Sequence, residues 1–230
     1  MNAQKLKDFR NFLFVIWKHL RLPKPTALQY DIATYLQSEE RRIIIEGFRG
    51  IGKSWITSAY VCYQLFLNPQ LNILIVSASK TRADDASTFI LRLINEVPIL
   101  QHLIPKDSQR QSKISFDVAP ARASHQPSVK SVGIFGQMTG SRSDFVLADD
   151  IETSGNSQTQ GMRDRLSEGV KEFESIIKPE GRIIFLGTPQ CEQSLYNALP
   201  SRGYKKRIWT AKYPTSKQKV YFGKTLAPII

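Results

Sequence analysis

Gly47-Phe48-Arg49-Gly50-Ile51-Gly52-Lys53-Ser54 follows directly on the apolar run Ile43-Ile44-Ile45 and matches G-x-x-x-x-G-K-[S/T] at every fixed position. The pattern is a phosphate-binding loop. Glycines at 47, 50 and 52 let backbone N–H groups turn inward on an anion, with Phe48 and Ile51 between them. A lysine at 53 reaches terminal phosphates, and a hydroxyl at 54 can hold a magnesium ion. Placement agrees with pattern. A strand-forming run precedes the loop and the helix-compatible Ser54–Val61 follows it, which aims the positive end of a helix dipole at the anion.

Working outward, strand-like runs lie at Ile43–Glu46, Asn72–Ser77, Phe145–Asp149 and Arg182–Gly187, with a weaker one near Arg207–Trp209. Helical periodicity covers 26–38, 54–67, 80–96 and about 158–177. Alternation of the two predicts an α/β fold of the P-loop NTPase (RecA-like) type, with a mainly parallel central sheet flanked by helices. The stretch 105–143 carries three prolines and scattered glycines around short β-like pieces at Ile114–Val118 and Val129–Phe135, and reads as a β-hairpin-bearing insertion. Near the N-terminus, Leu6, Phe9, Leu13, Trp17 and Leu20 recur at three- and four-residue steps, predicting an amphipathic helix over 5–20 that packs on the body of the domain.

The chain has 230 residues, 41% of them hydrophobic, enough for one substantial core. Two isolated cysteines, no zinc-ligand spacing, no signal-peptide pattern and no apolar run near the ~20 residues of a spanning helix argue for a reducing cytoplasm and against a membrane. The net charge of +12 is uneven. Residues 1–24 hold six Lys/Arg and one acid, and residues 193–230 hold eight Lys/Arg and no acid. Two basic ends around a near-neutral body suggest a polyanionic partner, with nucleic acid the expected one.

A triphosphatase also needs a carboxylate for its metal and a group that positions water. Phe145-Val146-Leu147-Ala148-Asp149-Asp150 supplies an apolar strand ending in two acids. Asp149 is the metal-associated candidate, and Asp150 and Glu152 are the two candidates for handling water. Arg49, inside the loop, can offset charge on the transferred phosphoryl group, and Arg142 can do so from a neighbouring subunit.

Taken together these residues resemble the ATPase domain of the large terminase subunit of tailed bacteriophages, the short-tailed branch in particular. The resemblance spans Gly47–Ser54 with its internal Arg49, Gly136-Gln137-Met138-Thr139-Gly140-Ser141-Arg142 ahead of Asp149-Asp150-Ile151-Glu152, and Gly187-Thr188-Pro189 at the end of a later strand. It implies that Thr188 senses the nucleotide and couples it to DNA movement, and that Gln29 within Pro25–Gln29 reads adenine. Many relatives have Glu where this chain has Asp150, which leaves the water-positioning residue open. The implied activity is magnesium-dependent ATP hydrolysis driving double-stranded DNA into a procapsid. Its implied setting is a homo-oligomeric ring on the portal protein, with the small terminase subunit as a partner. The expected location is the cytoplasm of the infected bacterial host, and not the mature virion. No acid follows Glu192, so the carboxylate cluster of the family's nuclease is not expected here. The expected division is an ATPase domain over 1–212, with its core at 25–212, and a linker over 213–230. A helicase-type ATPase lobe and a nucleotide-dependent DNA-binding or assembly module are the rival readings.

Overall fold

The computed structural model describes residues 3–229. A 3₁₀ turn at Ala3–Lys7 leads into α1 (Phe9–His19), followed by α2 (Ala27–Leu36), β1 (Arg42–Gly47), α3 (Lys53–Leu67), β2 (Ile73–Ser77) and α4 (Lys80–Glu96). Then come the short β3 (Gln111–Ser112) and β4 (Ser115–Phe116), β5 (Val129–Gly133), β6 (Ser143–Asp149), α5 (Ser154–Ser157), α6 (Gln160–Ile176) and β7 (Ile177–Gly187). The chain finishes with α7 (Leu195–Ala198), β8 (Lys205–Trp209) and α8 (Ser216–Phe222).

The eight strands form one sheet in the order β3-β4-β5-β2-β6-β7-β1-β8. Every pairing from β5 through β8 is parallel, and β3 and β4 are joined antiparallel at one edge. Strand side chains alternate between two cores, as the period of two requires. Ile43, Ile45, Ile73, Ile75, Leu147 and Leu186 face one core, which is shared with the apolar sides of α1 to α4. Ile44, Leu74, Val76, Val146 and Phe185 face the other, under α6 and α7. This double burial explains why the strands read as unbroken Ile/Val/Leu runs.

Phe9, Phe12, Leu13, Ile16 and Trp17 are buried in the first core, so the N-terminal stripe packs inward as expected. The helix is shorter than 5–20 because Asp8 caps it, its carboxylate accepting from Arg10 N–H at 2.9 Å. Among the described residues no helix is long and apolar enough to cross a membrane.

One expectation is corrected. Val129–Phe135 is not an element of an insertion: Val129–Gly133 is a strand of the main sheet, paired in parallel with β2 along its whole length. Only the β3–β4 hairpin is an addition, laid on the outer edge of β5. Residues 213–229 include α8, which buries no residue, but Ala227 is 2% exposed and its N–H donates to Ile208 O at 2.9 Å, so the chain returns to β8.

At the end of β7, Gly187 lies against the buried ring of Tyr196, and an added Cβ would fall 2.2 Å from its Cζ and hydroxyl. Gly187→Ala is expected to cost about 1–3 kcal/mol or more through overpacking, read as a lower melting temperature. An unchanged melt would mean that Tyr196 moves aside at no cost.

Candidate nucleotide site

Strands β1, β7 and β6 are adjacent and parallel, so their C-terminal ends open on the same side of the sheet. The loop 47–54 leaves β1, Thr188 follows β7, and Asp149 and Asp150 end β6 and begin the next loop. Ligands of open α/β sheets bind at this rim. Gly50 and Gly52 adopt φ of 93° and 88°, left-handed values that cost glycine little and turn the loop into the first turn of α3.

Lys53 is 6% exposed. Its ammonium donates to Gly47 O (3.0 Å), Phe48 O (3.3 Å) and Thr188 Oγ1 (2.9 Å). Burial lowers its pKa, against the opposing charges of Asp150 and Asp149. Thr188 Oγ1 in turn donates to Gly47 O at 2.7 Å, tying the end of β7 to the loop.

Ser54, Asp149 and Asp150 line one cavity of about 340 Å³, walled on its apolar side by Trp55 and Phe89, whose rings meet edge to face at 5.0 Å. Asp149 is 8% exposed, and its Oδ1 has no hydrogen-bond partner among the described residues. Burial, then the charge of Asp150, raises its pKa to about 7, while a hydrogen bond from Ser54 opposes the shift. An orphaned, buried carboxylate oxygen beside a serine hydroxyl is a donor set that suits magnesium.

A raised carboxyl pKa stabilises the fold fully below the unfolded-state value near 3.8, and that contribution is lost as pH rises through about 7. Asp149→Asn is therefore expected to leave stability unchanged near pH 4 and to raise it above pH 7, by a few kcal/mol at most (~1.4 per pKa unit). Urea midpoints at the two pH values check this; an equal effect at both would remove the buried-charge account.

Asp150 lines this cavity and also a second one of about 300 Å³ shared with Arg49, Arg82, Glu152, Thr188 and Gln190. Its backbone is held at φ 45° while its N–H donates to Leu186 O at 2.8 Å. Glu152 is placed differently. It is 2% exposed, with Oε1 accepting from Gln190 N–H (2.8 Å) and Oε2 from Ser194 Oγ (2.9 Å) and Leu195 N–H (2.7 Å). Its carboxylate is thus committed to anchoring the loop after β7 and the start of α7.

Arg49 reaches across the second cavity, donating to Gln190 Oε1 at 3.1 Å. Gln29 has both ends of its amide engaged: Oε1 accepts from Thr26 N–H (2.9 Å), closing the cap of α2, and Nε2 donates to Ile51 O in the loop (2.9 Å). Arg142 stands just before β6, seven residues and ~23 Å of strand away from Asp149. It is not brought to this cleft within the chain; its guanidinium donates to Ser175 O at 3.3 Å.

Arg82 is the residue that sequence reasoning missed. It borders both cavities on either side of Asp150, and its charge counters the rise in the Asp149 pKa. The available signal was position, since the first turn of a helix following a parallel strand faces the ligand rim.

No family model matches the chain. It is 52% identical to the terminase large subunit of Enterobacteria phage T3 across 99% of its own length and 40% of that protein, so the chain spans less than half of this relative. Among solved structures, it superposes on a DEAD box protein from the hyperthermophile Methanococcus jannaschii with a TM-score of 0.53 at 13% identity, covering 86% of this chain and 52% of that one. The N-terminal domain of the DNA packaging ATPase from bacteriophage phi29 gives a TM-score of 0.49 at 14% identity, covering 76% and 87%. With half of its residues shared along nearly its whole length, the chain is similar to two fifths of a phage large terminase subunit.

Proposed function

We propose that this chain is the ATP-hydrolysing motor portion of a large terminase, coupling nucleotide turnover to movement of double-stranded DNA. The reading rests above all on the convergence of Ser54, Asp149 and Asp150 on one cavity beside the phosphate loop, with Asp149 Oδ1 unpartnered. Backbone N–H groups of 47–54 hold the phosphates, and Lys53 exchanges its carbonyl partners for phosphate oxygens. Ser54, with Asp149 in support, would hold magnesium, which would supply positive charge to the bound triphosphate. Asp150 orients the attacking water, because its carboxylate borders both cavities whereas that of Glu152 is already bound on both oxygens. Arg49 offsets charge developing on the transferred group. Thr188, bonded to both Lys53 and Gly47 O, registers the presence of nucleotide at the end of β7. Gln29 reads adenine, its amide held beside the loop by the bond to Ile51 O.

The wider setting belongs to the same proposal: a ring of copies on a portal protein with the small terminase subunit as partner, in the infected host's cytoplasm. Within that ring Arg142 acts on a neighbour's nucleotide. The ATPase domain covers 1–212, and 213–230 is a linker. A second reading, a nucleotide-dependent assembly module with little turnover, draws on the three acceptors that hold Lys53 inward.

Measuring ATP hydrolysis with and without duplex DNA, together with nucleotide affinity by calorimetry, separates the two. Magnesium-dependent turnover supports the motor. Tight binding without turnover in either condition supports the assembly module, and no binding at all removes both.

A further inference from the structure

A further cavity region, about 730 Å³, lies beside the nucleotide cleft and distinct from it, between the β3–β4 hairpin edge, the face of β5 and the loop 134–142. Lys80, Arg110, His125 and Lys130 line it, and no carboxylate does among the described residues. Lys80 and Arg110 are each paired with an acid set outside the cavity lining, Asp84 at 2.6 Å and Asp117 at 3.3 Å. Lys130 instead donates to a hydroxyl, Ser141 Oγ at 3.0 Å, and is in no ion pair among the described residues. Exposed Lys113 at the hairpin turn adds another cation beside the rim. On the loop side, Gly140 has φ 85°, an added Cβ would meet nothing within 4 Å, and its carbonyl accepts from Gln126 Nε2 at 3.0 Å.

Asp84 stands directly behind the lining, its Oδ1 accepting from Ser131 Oγ at 2.7 Å, so the groove's surface itself presents cations and neutral polar groups. These fit successive phosphates of a sugar–phosphate backbone, contacts that position a duplex without reading its sequence. We propose that this groove, and not the basic C-terminal segment, is where duplex DNA contacts the chain. The proposal rests on the motor reading and gives its DNA a location. The groove and the cleft also share one turn: Lys80 borders the groove and Arg82, two residues on, borders the nucleotide cavities. That turn is packed hard on β5, since a Cβ on Gly133 would lie 2.7 Å from Lys80 N. Ile134 N–H also donates to Ser77 O at 2.9 Å, fastening the far end of β5 to β2.

The test is fluorescence anisotropy of a labelled duplex over a range of salt concentrations. It compares the wild-type chain, the groove variant Lys113→Glu/Lys130→Gln, and the tail variant Lys217→Glu/Lys219→Glu, whose side chains are exposed on α8. The groove variant is expected to bind at least about tenfold more weakly, with a salt slope shallower by about two, while the tail variant stays near wild type. Nucleotide affinity and thermal melting of the groove variant stay at wild-type values, which separates a lost contact from a lost fold. Wild-type binding by the groove variant, or loss in the tail variant alone, overturns the groove assignment and leaves the motor reading standing. Failure of the wild-type chain to bind duplex at any salt concentration removes DNA from both.

Discussion

Lys53→Ala is expected to weaken triphosphate binding by about ten- to a hundredfold, the equivalent of one charge-assisted hydrogen bond at ~1.5–3 kcal/mol, and to take hydrolysis below detection. The same change should not unfold the protein. The ammonium is buried, and that burial depresses its pKa, which means that holding the charge there is unfavourable. Alanine would leave Gly47 O still bonded to Thr188 Oγ1. The melting temperature should therefore stay level or rise while binding is lost, a divergence that simple misfolding cannot produce. Calorimetric titration with a non-hydrolysable ATP analogue, beside a thermal melt, reads both. Near-normal affinity would mean that the loop amides carry the phosphates unaided.

The second large effect separates two neighbouring acids that the sequence leaves equivalent. Asp150→Asn should retain nucleotide affinity and lose about 10²–10⁴ in turnover, the usual contribution of a positioned acid–base group. Glu152→Gln should act on the fold. Three donors converge on that carboxylate, and an amide would turn an NH₂ toward at least one of them, at ~1–3 kcal/mol for the donor left unsatisfied. Its signature is a lowered urea midpoint with residual turnover per folded molecule. A catalytic collapse in Glu152→Gln at unchanged stability, with Asp150→Asn active, would reverse the assignment.

How far the sequence carried the structure depends on whether the deciding contacts were local. The phosphate loop, β1, β2, β6 and β7 were legible because buried parallel strands leave continuous apolar runs and the loop's glycines have fixed spacing. β5 was misread for an equally local reason. Pro127 sits before it, glycines crowd the segment after it, and no helix intervenes before β6, so a sheet strand resembled part of a hairpin excursion. The role of Glu152 was not legible at all, since its donors lie at 190, 194 and 195 and meet it only once β7 has crossed the sheet. Gln29 follows the same pattern. Its capping of α2 can be anticipated from Thr26-x-x-Gln29, but its bond to Ile51 O depends on how α2 packs against the loop.

The left-handed backbone at Asp150 has one further consequence. A φ of 45° is disfavoured for a residue with a Cβ and comfortable for glycine, so the position bears strain for as long as it keeps a carboxylate. A population of variants screened only for resistance to heat should accordingly drift toward glycine at 150. Selection for the proposed nucleotide turnover would hold the acid in place, and thermal hardiness and catalysis would pull this residue in opposite directions.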